Sequence, residues 1–146
     1  MAVQSIIQGV TDFFMKCPLL KDGAFHVNGL GHEAIAYSID VDTADPIVKR
    51  YINGDTLRQF PFTFSSREFY SVDRLQNIQN SEFYEMLSDW VEEKNRKEEF
   101  PELPGGCCPD SLSVLTPGYI FDEDMTSARY TIQFRLTYYK EYHKEE

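Results

Sequence analysis

The chain has 146 residues, 42% hydrophobic and 14% aromatic, with 14 basic against 24 acidic residues for a formal net charge of −10. That length suits one domain with one core, spanning 1–146 with an ordered part over about 3–140, and the apolar content excludes a disordered chain. The acidic balance excludes the basic footprint with which nucleic-acid-binding proteins hold phosphates, and it repels DNA.

The opening Met1–Gln8 lacks a basic n-region and a long apolar h-region, so no signal peptide is expected. No apolar run approaches the roughly 20 residues that span a bilayer, so a soluble chain without membrane partners is expected. Val3, Ile6, Ile7, Val10, Phe13 and Phe14 then recur at helical spacing. Cys17-Pro18 ends that helix, because proline disfavours helical geometry in the residue before it. Phe25–Val27 is a short strand candidate, closed by Asn28-Gly29. Ile35, Tyr37, Ile39 and Val41 alternate with small or polar residues, the period-2 mark of a half-buried strand, and Asp42–Pro46 breaks it.

Ile47–Ile52, Asn53-Gly54 and the extended run from Thr56 predict a hairpin, with positive φ at both central residues of a two-residue turn. The outgoing strand sets Phe60, Phe62 and Phe64 on one face and Leu57, Gln59, Thr63 and Ser65 on the other. Pro61 has no N–H for a ladder, which predicts an edge strand or a bulge. From Ser71 the period turns helical: Leu75 and Ile78 mark a short turn, and Asn80-Ser81 offers a fresh N-cap. Phe83, Leu87, Trp90 and Val91 form the expected buried stripe, with Lys94, Arg96 and Lys97 at the cation-favouring end. Phe100–Ser111 is the long linker, with two readings: an extended functional loop or a solvated crossover. Leu112–Phe121, interrupted at Pro117-Gly118, and the strictly alternating Tyr130–Tyr139 close the chain as strands, before a charged tail at Glu141–Glu146. The order predicts an α+β fold, a mostly antiparallel sheet of about 4–6 strands with two main helices on one face.

No residue set composes a catalytic, cofactor or metal site. Asp40, Asp42 and Asp45 lack the glycine and distant glutamate of a calcium loop. Asp122-Glu123-Asp124 reads as a solubilising loop tip. Cys17, Cys107 and Cys108 are an odd count with an adjacent pair, a poor disulfide framework and not the spacing of a zinc or redox site, so reduced thiols are expected. His26, His32 and His143 are scattered, and Gly29-x-Gly31 lacks the rest of any phosphate loop. The chain is therefore read as a non-enzyme without a cofactor. Arg58, Arg67, Arg74, Arg129 and Arg135 stand out instead, four of them on or beside strands, since arginine's planar fork suits protein interfaces. Arg58, Arg67, Arg129 and Arg135, with Pro104, Gly105 and Gly106 of the linker, are the candidate interface.

Over about residues 10–139 the chain resembles small minor capsid or tail-terminator-like proteins from phages and prophages of Gram-positive bacteria. The stretches that carry the likeness are Cys17-Pro18-Leu19-Leu20, Tyr37-Ser38-Ile39, Leu57-Arg58-Gln59, Phe62, Phe64, Ser66-Arg67-Glu68 and Tyr70. They continue through Asn77-Ile78, Ser81, Phe83-Tyr84, Trp90, Gly118–Asp122, Ala128-Arg129-Tyr130 and Ile132-Gln133. No single piece is a chemical motif, and no functional residue carries over. The resemblance implies a structural virion protein, made in the host cytoplasm, that forms a ring with itself at the head-proximal end of the tail tube. Its partners would be the tail-tube protein and the head–tail connector, with DNA passing through unbound. The alternatives are a head-completion or minor capsid role and, from another class, a small-molecule-modifying or drug-binding protein. Relatives sometimes bear a chloramphenicol-resistance label, yet His32-Glu33 and Asp22-Gly23 do not compose the His-His-x-x-x-Asp-Gly site of such an acetyltransferase.

Overall fold

In the computed structural model, residues 3–20, 24–27, 36–69, 74–116, 118–123 and 127–142 are described. The first helix, α1 (Ile6–Met15), begins at Ser5, whose Oγ accepts a hydrogen bond from the Gln8 N–H at 3.2 Å. That satisfies one of the donors a helix start leaves orphaned. It stops before Cys17-Pro18, as the proline requires. Four strands follow: β1 (Ala24–Val27), β2 (Ala36–Val41), β3 (Ile47–Arg50) and β4 (Thr56–Phe69). Then come α2 (Arg74–Arg96), β5 (Cys107–Val114), β6 (Tyr119–Glu123) and β7 (Ser127–Lys140). The fold class is α+β.

The sheet runs β1-β2-β4-β7-β5, five strands across, with β3 also on β4 and β6 also on β7, seven segments among the described residues. All pairings but the parallel β1–β2 are antiparallel. The five strands across fall within the expected range, and β4 and β7, 14 residues each, are long enough to carry two short partners along one side.

Register pairs Phe60 with Leu136, Phe62 with Phe134, Phe64 with Ile132 and Ser66 with Tyr130. Directly opposed residues share a face, so alternation makes this the apolar side. Phe14 of α1 sits against it, its ring 5.7 Å from Phe62, 5.5 Å from Phe64 and 5.3 Å from Phe134. Tyr84 of α2 stacks on Tyr130 at 5.6 Å on the same side, and its hydroxyl bonds to Ser66 Oγ and to the Tyr130 carbonyl. Gly118 lies so close under Tyr84 that a Cβ there would overlap the ring.

Several local expectations are corrected. The Asn53-Gly54 loop has three residues, not two. Tyr51 and Asp55 close it, the Gly54 N–H donates to the Tyr51 carbonyl at 3.0 Å, and only Gly54 takes positive φ, +96°. A type I turn followed by one left-handed glycine gives the same chain reversal. Pro61 is not in an edge strand, because β4 is central. Its missing N–H falls where β3 has ended and β2 not yet begun, beside the 42–46 connection, so no ladder bond is lost. Its carbonyl still accepts from the Asp42 N–H at 3.0 Å. Asn80-Ser81 starts no helix, because α2 runs unbroken through it. Its buried stripe is Tyr84, Leu87 and Val91, while Phe83 and Trp90 flank it half-buried. Trp90 packs on α1, 5.0 Å from Phe13 and 5.9 Å from Phe14, rather than on the Phe60–Phe64 face. The Cys pair belongs to β5, which shortens the linker to 97–106. That linker folds back on the core through buried Pro101 and half-buried Phe100 and Leu103. Gly9 of α1 lets the Glu102 carbonyl approach where any Cβ would clash. Asn28-Gly29, Ile35, Asp124–Thr126 and the tail from His143 lie outside the described residues.

Candidate functional site

The second sheet face is polar, as alternation requires. Ser38, Asp40, Thr63, Ser65, Arg67, Arg129, Thr131, Gln133, Arg135 and Thr137 share it by register. Its centre is shielded: Ser38 and Ser65 are 0% exposed and Thr131 3%. The Oγ of Ser65 and the Oγ1 of Thr131, on directly opposed residues, have no hydrogen-bond partner. Burial without a partner costs stability, so this face is not an ordinary solvated surface.

The predicted interface residues divide between two places. Arg67 and Arg129 oppose each other across β4 and β7 on the polar face. Like charges so placed repel, and the carboxylate of Asp40 lies 3.7 Å from Arg129 to offset it. Arg135 is exposed on this face, between Pro61 and Ser113. Arg58 is on the other face and at the far end of β4, where its Nε donates to Thr56 Oγ1 at 3.0 Å. Pro104, Gly105 and Gly106 form the turn into β5, in which the Cys107 N–H donates to the Pro104 carbonyl at 3.1 Å. Gly106, at φ +83°, accepts from the Glu141 N–H at 2.8 Å. The turn and Arg58 thus meet at one end of the sheet, while the other three arginines do not join them.

That end also gathers residues the sequence did not single out. Arg50, Thr56, Arg58, Lys140, Glu141 and Tyr142 line one cleft. On the opposite face of the sheet, the face of Lys49, Leu57 and Tyr139, an open groove is walled by Tyr51, Ile52 and Tyr139. Tyr51 and Tyr139 lie 6.2 Å apart, and Lys49 Nζ sits 5.2 Å above the Tyr51 ring. The Tyr51 phenol pushes the Tyr139 hydroxyl pKa up, and burial does the same for Tyr138. The hint in the sequence was an isoleucine at a turn tip next to Lys49-Arg50, where a polar residue is usual.

The other candidates have structural work. Asp42 accepts from Thr63 Oγ1 at 2.8 Å, Asp45 from the Ile47 N–H at 3.0 Å, and Asp40 from Ser38 Oγ at 3.4 Å. Burial raises the thiol pKa of Cys17 and of Cys107, which favours the neutral thiol over the nucleophilic thiolate. Among the described residues no three His, Cys, Asp or Glu side chains converge as a metal set, and no helix is long and apolar enough to cross a membrane. The side chains of His26, His32 and His143 and of the Asp122-Glu123-Asp124 tip lie outside the description. No known protein family matches the chain, and no curated protein matches it.

Proposed function

We propose that this chain is a structural phage protein, a tail terminator or tail-completion protein that forms a ring at the head-proximal end of the tail tube. The observation that carries the reading is where the resembling stretches fall. Tyr37–Ile39, Leu57–Gln59 with Phe62, Phe64 and Ser66–Glu68, Phe83-Tyr84, Trp90, and Ala128–Tyr130 with Ile132-Gln133 lie on β2, β4, α2 and β7, which are neighbours in the fold. Most of the likeness therefore falls on packed elements, with Cys17–Leu20 after α1 and Gly118 before β6 as its connecting pieces.

The net charge of −10 supports it: copies lining a channel with acidic surface repel passing DNA instead of binding it. The arginines and exposed aromatics at the sheet end supply protein-contacting chemistry, with the tube protein and the connector as partners. Deletion of the gene from the parent phage tests the reading. Heads and tails should fail to join, and tails should lose length control. Normal-length tails on heads in electron micrographs would refute the terminator role. Empty or leaking heads with normal tails would assign head completion.

A further inference from the structure

The cleft at the hairpin end is built by three neighbouring strands on the Phe60–Phe64 face of the sheet. Register sets Arg50 of β3 opposite Thr56 of β4, and Thr56 opposite Lys140 of β7, so these three side chains stand in one row. Arg58, two residues along β4, shares their face, and its Nε donates to Thr56 Oγ1 at 3.0 Å. That bond holds the guanidinium beside the middle of the row. Tyr142 makes a further wall. Its N–H donates to Asp55 Oδ1 at 2.9 Å, and its ring lies so close to Gly54 that a Cβ there would be 2.8 Å from the Tyr142 Cγ. The space so bounded is about 400 Å³, the size of a small-molecule site.

The charge inside the cleft is unbalanced. Arg50, Arg58 and Lys140 line it against one carboxylate, Glu141, so three positive charges less one negative leave +2. Among the described residues no carboxylate is in ion-pair contact with Arg50, Arg58 or Lys140. The nearby Asp55 is engaged by the Tyr142 N–H and by Asn53 Nδ2, the latter at 3.0 Å. In a chain of 14 basic and 24 acidic residues, three cations sharing a cleft with a single carboxylate run against the composition. Like charges so gathered repel, and an anion between them removes the repulsion. Thr56 adds a directed donor. It is 6% exposed, its Oγ1 already accepts from Arg58, and its O–H has no acceptor among the described residues. Cys107 of β5 stands opposite Lys140 and extends the row. Burial raises its thiol pKa, and the charges of Lys140 and Arg58 act against that.

We infer that this cleft binds a phosphate dianion, free or as a small phosphomonoester, with Arg50, Arg58, Lys140 and the Thr56 hydroxyl as its donors. A ligand charge of −2 matches the +2 of the cleft. Donors rising from three strands suit a tetrahedral group, whereas a planar carboxylate takes one arginine fork and leaves the other cations unmatched. The Tyr142 ring, 59% exposed at the rim, offers a surface to the organic part of a monoester. Duplex DNA is the poorer source of the phosphate, since each phosphodiester carries a single charge and a chain of −10 repels the backbone as a whole. The inference goes beyond the terminator reading and does not rest on it.

Isothermal titration calorimetry of the full chain with inorganic phosphate tests it, at about pH 8, where the second phosphate proton is gone. Saturable binding of one phosphate per chain is expected. Arg58→Gln and Lys140→Gln should each weaken it at least about tenfold, the loss of one charge-assisted contact. Thr56→Ser should keep the binding and Thr56→Val should weaken it. Lys49→Gln removes an exposed cation next to Arg50 in sequence but on the other sheet face, and should leave the affinity unchanged. Arg50 and Lys140 are exposed, so Arg50→Gln and Lys140→Gln carry the test if a change at Arg58 or Thr56 lowers the urea midpoint. Cys107 gives a second readout. In Cys108→Ser, which removes the competing exposed thiol, phosphate should slow alkylation of Cys107, because an anion on Lys140 and Arg58 lowers its thiolate fraction. Absence of saturable phosphate binding, an equal loss in Lys49→Gln, or Cys107 alkylation indifferent to phosphate would overturn the inference. So would a DNA duplex or a glutamate-rich peptide that binds where inorganic phosphate does not.

Discussion

Replacing Phe14 with alanine removes the ring that joins three elements. The side chain is 0% exposed and touches Phe62, Phe64 and Phe134 on the sheet and Trp90 on α2. A buried phenylalanine removes roughly 150–200 Å² from water, worth about 4–5 kcal/mol at about 25 cal/mol per Å². Measured losses for such truncations, about 3–5 kcal/mol, agree because the rigid ring of aromatics cannot collapse into the cavity. For a domain of this size the melting temperature should fall by about 10 °C. Urea unfolding followed by circular dichroism gives the magnitude, and the single tryptophan, 5.9 Å from Phe14, reports the same transition by fluorescence. Trp90→Ala is the comparison: a half-buried side chain on the flank of α2 should cost about 2 kcal/mol, less than a fully buried aromatic. A loss below about 1.5 kcal/mol for Phe14→Ala, or a larger loss for Trp90→Ala, would refute the placement of α1 over the sheet.

Three further outcomes are expected. Thr131→Val should stabilise the protein by up to about 1 kcal/mol in urea unfolding, since the buried Oγ1 has no hydrogen-bond partner; a clear loss would show that the hydroxyl is bonded. Glu98→Gly should stabilise by about 1 kcal/mol, because Glu98 closes α2 at φ +57° with the Glu99 N–H on the Lys94 carbonyl at 2.9 Å, a left-handed position that glycine takes without strain. Stability should fall as pH rises. Burial raises the folded-state pKa of Cys17, Cys107 and Tyr138, so the folded chain holds these protons longer than the unfolded one. Their contribution is complete below the unfolded thiol value of about 8.5 and is lost as pH climbs through the folded values. Urea midpoints from neutral to alkaline pH check this, Cys17→Ser should flatten the curve, and an unchanged midpoint would contradict it.

Patterns short enough to be local were legible in the chain. The stripe from Ile6 to Phe14, the alternation at Tyr130–Tyr138 and the Asn53-Gly54 reversal each follow from periodicity or from one residue's backbone freedom, and each is where it was expected. The net charge and the lack of a basic footprint are likewise properties of composition. What depends on neighbours could not be read. Pro61 reads as an edge signal because the sequence does not tell that β2 and β3 divide one side of β4 and leave a gap there. Tyr84 displaces Trp90 from the centre of α2 because α1 occupies the flank where tryptophan fits. Cys107-Cys108 joins the sheet despite its loop-like context, since the bulge between Pro109 and Ser111 absorbs the proline on an edge strand. The cationic hairpin end is the clearest case. Arg50 comes from β3, Arg58 from β4 and Lys140 from β7, and only strand pairing puts them around one cleft, because charge adds up in space and not along the chain.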